Sequence, residues 1–429
     1  MSPAEPVTGL ILSGGGARAA YQVGVLAAIA ELLPLGADNP FPVIVGTSAG
    51  AINAVSLASG ATDFRAAIER LTLFWQGFRS HRVLRSDWPG VIRQASRFVS
   101  HSLLGIGRQL PVALLNSSPL RDLLNEKLHM PGIAESIARK QLHAVAVTAF
   151  GYESGQAVTF YQGGGTIDAW LRHRRIGVPA QLSVDHLLAS SAIPLLFAPV
   201  KIGEEYFGDG AVRQSAPISP ALHLGASRVL VVGVSGNPRG FDPQQPLERA
   251  YTGQQPTLAQ IGGHMLNSTF IDSLESDIEL LQRLNQFSHL MPEGVPTREL
   301  GVAPVEVLVI APSQPIDEIA ARHRQELPAA LRLFLRGPGA TKTSGAGVLS
   351  YLLFEAGYCS ELIDLGRRDA LAKREELCRF LGITEAVAPT PDICAEAIRE
   401  QARSHIGSVL VTKPVWERAC SRRRPCRRH

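Results

Sequence analysis

The sequence predicts an α/β fold in which a mostly parallel central sheet is covered by helices on both faces, with a helical C-terminal extension. Two strand-turn-helix units follow each other near the start: residues 8–13 lead into a helix ending near Leu33, and residues 43–45 lead into small, helix-compatible residues from Ala51. Strands that each return through a helix pair in parallel. Two further apolar runs, at 228–234 and 305–311, have the look of central strands.

Each element follows from local pattern. Tyr21, Val25, Ala28, Ile29 and Leu32 recur at helical spacing, which predicts a first helix lying amphipathically on the sheet. Residues 63–78 continue helical, with Phe64, Ala67, Ile68, Leu71, Phe74 and Trp75 as a core stripe. Residues 142–149 and 157–161 read as strands joined by a turn, and Arg172 to Arg175 as a short basic loop. Residues 183–200 read as a helix stopping near Pro194 and then an extended apolar run; residues 201–207 read as a hairpin through Gly203. Beyond a Pro- and Gln-rich loop at 237–256, helices are expected over about 258–287, 317–335 and 348–381. The boundaries predicted are 7–235 for the core, 236–385 for its α/β continuation and helical extension, and 386–429 for a C-terminal segment with a basic, disordered tail.

Composition narrows the function classes. Hydrophobic residues make up 45% and charged residues 19% of the 429-residue chain, which suits a globular enzyme. A net charge of +4 is too mild to argue for nucleic-acid binding. Residues 76–110 do carry six arginines against one acid, interleaved with Phe78, Trp88 and Phe98. A solvated helical cover and peripheral contact with an anionic membrane surface both fit such a stretch. The tail adds Arg418, Arg422, Arg423, Arg424, Arg427 and Arg428 without an acid. Cys359, Cys378, Cys394, Cys420 and Cys426 form no C-x-x-C pair, so neither a disulfide framework nor a zinc site is expected and a reducing, cytoplasmic setting fits best. The first residues lack a basic and apolar leader pattern, and no secretion signal is expected. The uncharged stretch 43–61 contains Gly46, Gly50, Gly60 and a polar turn, and reads as buried core.

The chemistry gathers at three turns. Gly46-Thr47-Ser48-Ala49-Gly50 places a serine at the tip of a sharp strand-to-helix turn, where strained backbone holds the hydroxyl up to a substrate. Gly46 and Gly50 lack the Cβ that would press on the neighbouring strand or helix. The helix N-terminus there favours negative charge developing on an acyl oxygen. A capping serine at an ordinary helix start is the plainer alternative. Gly14, Gly15 and Gly16 form the first turn, for which two readings stand. Gly14, Gly16 and Ala19 fit a dinucleotide-binding pattern, but the second strand ends in the serine turn instead of an acid, and Asp38 lies before it. Alternatively, Gly15 and Gly16 expose backbone N–H groups to an oxyanion, with Arg18 adding positive charge or standing as a solvated helix arginine. The third turn, Gly208-Asp209-Gly210-Ala211, projects Asp209 from a strand end; a simple turn-forming aspartate is the alternative.

Taken together, GGGARAAYQVGVL, GTSAG, ASSAIPLLFAPV and DGA resemble the patatin-like phospholipase family over roughly residues 8–235. The resemblance implies a three-layer patatin-like sandwich and a Ser-Asp dyad without histidine. Ser48 would be the nucleophile, Asp209 its base, Gly14, Gly15, Gly16 and Arg18 the oxyanion loop, and Gly210 and Ala211 the acid turn. It further implies hydrolysis of fatty-acyl lipid esters through an acyl-enzyme, needing neither metal nor organic cofactor. Aspartate is a weak base in water, so burial near the acyl chain is expected to raise its proton affinity. Ala19 departs from the glycine that many relatives carry. Two alternatives stand: a Ser-Asp-His triad using His223, His264, His289 or His323, and a nonhydrolytic lipid-binding module on the same fold.

Overall fold

The computed structural model describes residues 6–83, 113, 115–165, 167–194, 196–214, 218–235, 261, 264, 273–290, 304–329, 332–333 and 346–383. All belong to one compact unit, Met1–Thr384. The basic stretch from residue 84 to 110, the loop at 237–256 and the Arg-rich tail lie outside the described residues.

Ten strands form one sheet among the described residues: β1 Thr8–Leu12, β2 Val43–Thr47, β3 Ala144–Gly151, β4 Ala157–Gly163, β5 Trp170–Arg172, β6 Arg175–Pro179, β7 Val200–Ile202, β8 Glu205–Asp209, β9 Arg228–Val232 and β10 Glu306–Ile310. Their order is β10-β9-β1-β2-β3-β4-β6-β5, with β8 on β3 and β7 on β8. The first five in that order are mutually parallel. The far end is mixed, with β4 antiparallel to β3.

Strand alternation divides the core between two faces. Leu10, Leu12, Ile44, Val145, Leu230 and Val232 pack on one side with helices α1 Ala20–Leu32, α2 Ala49–Ser59 and α3 Phe64–Gln76. Ile11, Val43, Val45, Ala146, Val229 and Val231 face the other, against Ala221, Leu224 and Leu281 from the helices Ile218–His223 and Ser273–His289 with the turn between Ile218–His223 and β9. At the start of α3, Asp63 caps the helix by accepting from the Ala66 N–H, and the stripe Phe64, Ala67, Ile68, Leu71 and Trp75 is buried, with Phe74 packed at its margin.

Four local expectations are corrected. Helix α1 is buried almost all round, because the helix Ala356–Ala372 covers the face that a lone amphipathic helix would leave wet. Glycines allow that close approach: a Cβ on Gly24 would lie 1.9 Å from the Ile363 carbonyl oxygen, and one on Gly366 2.1 Å from that of Tyr21. Arg367 clamps Glu31 across the same contact at 2.6 and 2.8 Å. The basic loop expected at Arg172 to Arg175 narrows to the turn His173-Arg174 at the tip of the β5–β6 hairpin, with Arg172 and Arg175 paired as strand ends and Arg174 at φ 57°. The helix expected over 317–335 is interrupted: Ile316–His323 is followed by a short 3-10 turn, because Pro328 disfavours helix before it, and residues 329, 332 and 333 are helical again. The single helix expected over 348–381 is three, Ala346–Leu352, Ala356–Ala372 and Arg374–Leu381, interrupted where Leu353, Phe354 and Glu355 turn into the core.

Candidate active site

Strands β2 and β8 meet end to end along one edge of β3. Strand β4 occupies the opposite edge over residues 144–150. Strand β2 runs parallel to β3 and ends with Thr47 opposite Thr148; β8 runs antiparallel and ends with Asp209 opposite Ala149. The residue after Thr47 is Ser48, so two chain segments aim a hydroxyl and a carboxylate at one point. Ser48 Oγ donates to Asp209 Oδ2 at 2.6 Å, across 161 residues of sequence.

The serine turn has the strain its sequence calls for. Ser48 sits at φ 57°, ψ −130° as the N-cap of α2, a conformation that costs a non-glycine residue about 1–3 kcal/mol. A Cβ on Gly46 would lie 2.4 Å from the Gly50 carbonyl oxygen, and one on Gly50 2.3 Å from that of Leu12. The second approach seats the start of α2 against the end of β1, beside the Gly14–Gly16 turn. Ser190, at the end of the helix Val184–Ser190, completes the support: its hydroxyl accepts the Ser48 N–H at 2.8 Å and donates to the Thr148 carbonyl at 2.6 Å.

Asp209 is sealed from solvent. Its Oδ1 accepts the Ala211 N–H at 2.9 Å, and its own N–H donates to the Ala192 carbonyl at 2.9 Å. Gly210 is required for that turn, since a Cβ would lie 2.2 Å from the Thr148 carbonyl oxygen. Burial pushes the Asp209 carboxyl up to about 7, against the lowering pull of its hydrogen bonds from Ser48 and Ala211.

Gly14, Gly15 and Gly16 are buried between β1 and α1, and no hydrogen bond within the described residues engages their N–H groups. Gly16, at φ +56°, packs under the Tyr351 carbonyl, where a Cβ would lie 2.3 Å away. The buried guanidinium of Arg18 donates to Ser350 Oγ at 2.9 Å, pairs with Asp317 at 2.6 Å and stacks 4.0 Å over the Tyr351 ring. These contacts fasten the glycine turn to residues 316–352. Ser48 and Gly16 open into a narrow cavity walled by Ile52, Trp75, Phe78, Phe197, Tyr351 and Phe354, with free volume of about 30 Å³. That is room for about two waters.

Three of the four histidines named as triad candidates are engaged elsewhere or exposed. His223 stacks on Trp170 and bonds to the Ser219 carbonyl, His323 lies between Glu326 and Glu361, and His264 is exposed. The side chain of His289 lies outside the described residues. Asp38 accepts from Gln141 in a surface loop, away from any strand end. Among the described residues no cluster of His, Cys, Asp and Glu is arranged to hold a metal ion.

Sequence reasoning passed over Ser190, although it stands in the quoted ASSAIP run; a hydroxyl at a helix end, in a run quoted together with the Ser48 turn, was the available signal. Asp317 and Tyr351 carried no signal at all, being some 300 positions from the turn they support.

Residues 10–222 match the Patatin family, described as patatin-like phospholipase. A cGAMP-activated phospholipase of Escherichia coli (strain TW11681) is 29% identical over 217 residues, covering 48% of this chain and 52% of that protein. A cGAMP-activated phospholipase of Pseudomonas aeruginosa (strain BWHPSA011 / Pa011) is 29% identical over 216 residues, covering 50% and 55%. The chain spans about half the length of these curated relatives. Among solved structures, human GIVD cytosolic phospholipase A2 in complex with methyl gamma-linolenyl fluorophosphonate aligns over 88% of this chain and 58% of its own, at 14% identity and a TM-score of 0.42. VipD from Legionella pneumophila aligns over 87% and 67%, at 14% identity and a TM-score of 0.33. Residues 10–222, which hold the serine and aspartate turns and most of the parallel sheet, are the part of this chain that matches the patatin-like phospholipase family.

Proposed function

We propose that this chain is a serine acyl-ester hydrolase of the lipase and phospholipase type, cleaving fatty-acyl esters of membrane lipids through a Ser48-Asp209 dyad. The observation that carries the reading is the 2.6 Å hydrogen bond from the strained Ser48 to a fully buried carboxylate, at the wall of an apolar cavity. Asp209, poised near neutrality, takes the Ser48 proton as Oγ attacks the ester carbonyl. The bare N–H groups of the Gly14–Gly16 turn and the N-terminus of α2 meet the charge on the carbonyl oxygen. Protonated Asp209 then returns its proton to the departing alcohol or lysolipid. Water, deprotonated by the same carboxylate, hydrolyses the acyl-enzyme and frees the fatty acid. Arg18 acts in this scheme as the anchor that holds the glycine turn to Asp317.

Residues 7–235 supply the dyad in this reading, and residues 236–385 continue the core and wall the cavity through Tyr351 and Phe354. No helix among the described residues is long and apolar enough to cross a membrane, and the substrate is reached by peripheral contact with an anionic lipid surface. The test is turnover of phospholipid, lysophospholipid, triacylglycerol and simple esters by wild type, Ser48→Ala and Asp209→Asn. Because the two relatives are named cGAMP-activated, each assay is run with and without cGAMP. Loss in both variants with folding retained is the expected result. Wild type that turns over none of these substrates, and leaves Ser48 unlabelled by a fluorophosphonate, would be a nonhydrolytic lipid-binding protein instead.

A further inference from the structure

We propose that the Ser191 hydroxyl is a substrate contact, donating a hydrogen bond to an oxygen of the scissile ester; this rests on the hydrolase reading above. Ser191 Oγ is shut off from solvent and meets no hydrogen-bond partner among the described residues. The same residue lines the cavity that holds Ser48. A buried hydroxyl without a partner is destabilising, so an unpaired one beside a nucleophile needs a reason. Ile193, Phe197 and Phe354 make the nearby wall apolar, and a resident water there would find too few polar partners to be held well. An ester carries the acceptor oxygens that the wall lacks.

The backbone explains why this hydroxyl is well placed. Ser191 lies between two residues tied to the dyad: Ser190 Oγ accepts the Ser48 N–H at 2.8 Å, and the Ala192 carbonyl accepts the Asp209 N–H at 2.9 Å. Its own N–H donates to the Leu187 carbonyl at 3.0 Å, which sets its backbone from the end of the helix Val184–Ser190. The backbone that carries the hydroxyl is therefore tied to the segments that hold nucleophile and base. A donor that is unpaired before substrate arrives gives up no bond when it makes one. Gln214 also buries unpaired amide atoms, but it does not line this cavity.

The experiment compares wild type and Ser191→Ala, as full chains, on a glycerophospholipid and on a p-nitrophenyl ester of the same acyl chain, with Tm measured in parallel. Loss of one neutral hydrogen bond lowers kcat/KM about three- to ten-fold. The fall should be alike on both substrates, because both present the ester group. Replacing an unpaired hydroxyl by a methyl group leaves Tm unchanged or raises it. An unchanged kcat/KM overturns the proposal, as does a fall accompanied by a lowered Tm, which marks a structural role. A loss confined to the glycerophospholipid places the contact elsewhere and overturns it too. Wild-type turnover and fluorophosphonate labelling of Ser48 judge the hydrolase reading separately: if wild type is active, only the Ser191 contact is at stake, and if it is inactive, both readings fall.

Discussion

Asp209→Asn removes a buried acid while keeping its shape, and the surroundings of the carboxyl set both the sign and the size of the effect on stability. Burial raises its pKa from the ordinary 3.8 to about 7. Below about pH 4 the folded and unfolded chains both hold the proton, and no charge is carried into the core. Between those two values the unfolded chain has released the proton and the folded chain keeps it, so stability falls by about 1.4 kcal/mol per pH unit. Above about pH 7 both states are ionised and the folded chain bears the full penalty, about 4 kcal/mol. The amide of D209N does not titrate, yet it still offers an acceptor to the Ala211 N–H and a partner to Ser48 Oγ. The variant should therefore melt close to wild type near about pH 4 and above it near about pH 8, with the gap opening between. Thermal melts of both proteins across that range measure it, with turnover assayed on the same samples and expected to be lost in the variant. A difference that does not change with pH, or a wild type that is the more stable at the alkaline end, would refute the reasoning.

Two further outcomes follow from the same geometry. In the proposed dyad Asp209 must be ionised to accept the Ser48 proton, so kcat/KM should rise with pH through about 7 and then level off; a flat profile across neutrality removes Asp209 from that role. Ser190→Ala leaves the buried Ser48 N–H without an acceptor and the Thr148 carbonyl without its donor. The expected cost is about 1–3 kcal/mol of stability, read as a lowered Tm, with slower labelling of Ser48 by a fluorophosphonate as the turn loses its support.

What was legible in the chain is what its near neighbours dictate. Gly46 and Gly50 stand where a strand and the helix after it cross within a few residues, so their role needs no distant partner. The capped start of α3 and its apolar stripe are equally local. The errors came where distant contacts overrode local pattern. Residues 348–381 have helical composition throughout, but the break at Leu353 to Glu355 serves Ser80, whose N–H donates to Glu355 and whose hydroxyl donates to the Phe354 carbonyl. Helix α1 was expected to show a wet face, and the helix that covers it lies more than 300 positions on, anchored by the hydrogen bond from Tyr21 to Asp369 at 3.0 Å.

By itself the sequence determined that Ser48 would stand on a strained turn between a buried strand and a helix, that a bare glycine turn would precede it, and that Asp209 would sit at a strand end. Those features follow from steric demands within a few residues, and steric demands travel with the residue types. Only the tertiary structure decided that the hydroxyl and the carboxylate meet, because that depends on β2 and β8 sharing one edge of β3. It also decided that burial pushes the Asp209 carboxyl up to about 7 and that Arg18 pairs with Asp317, since the proton affinity of an acid and the choice of a charge's partner depend on burial, which no local stretch contains.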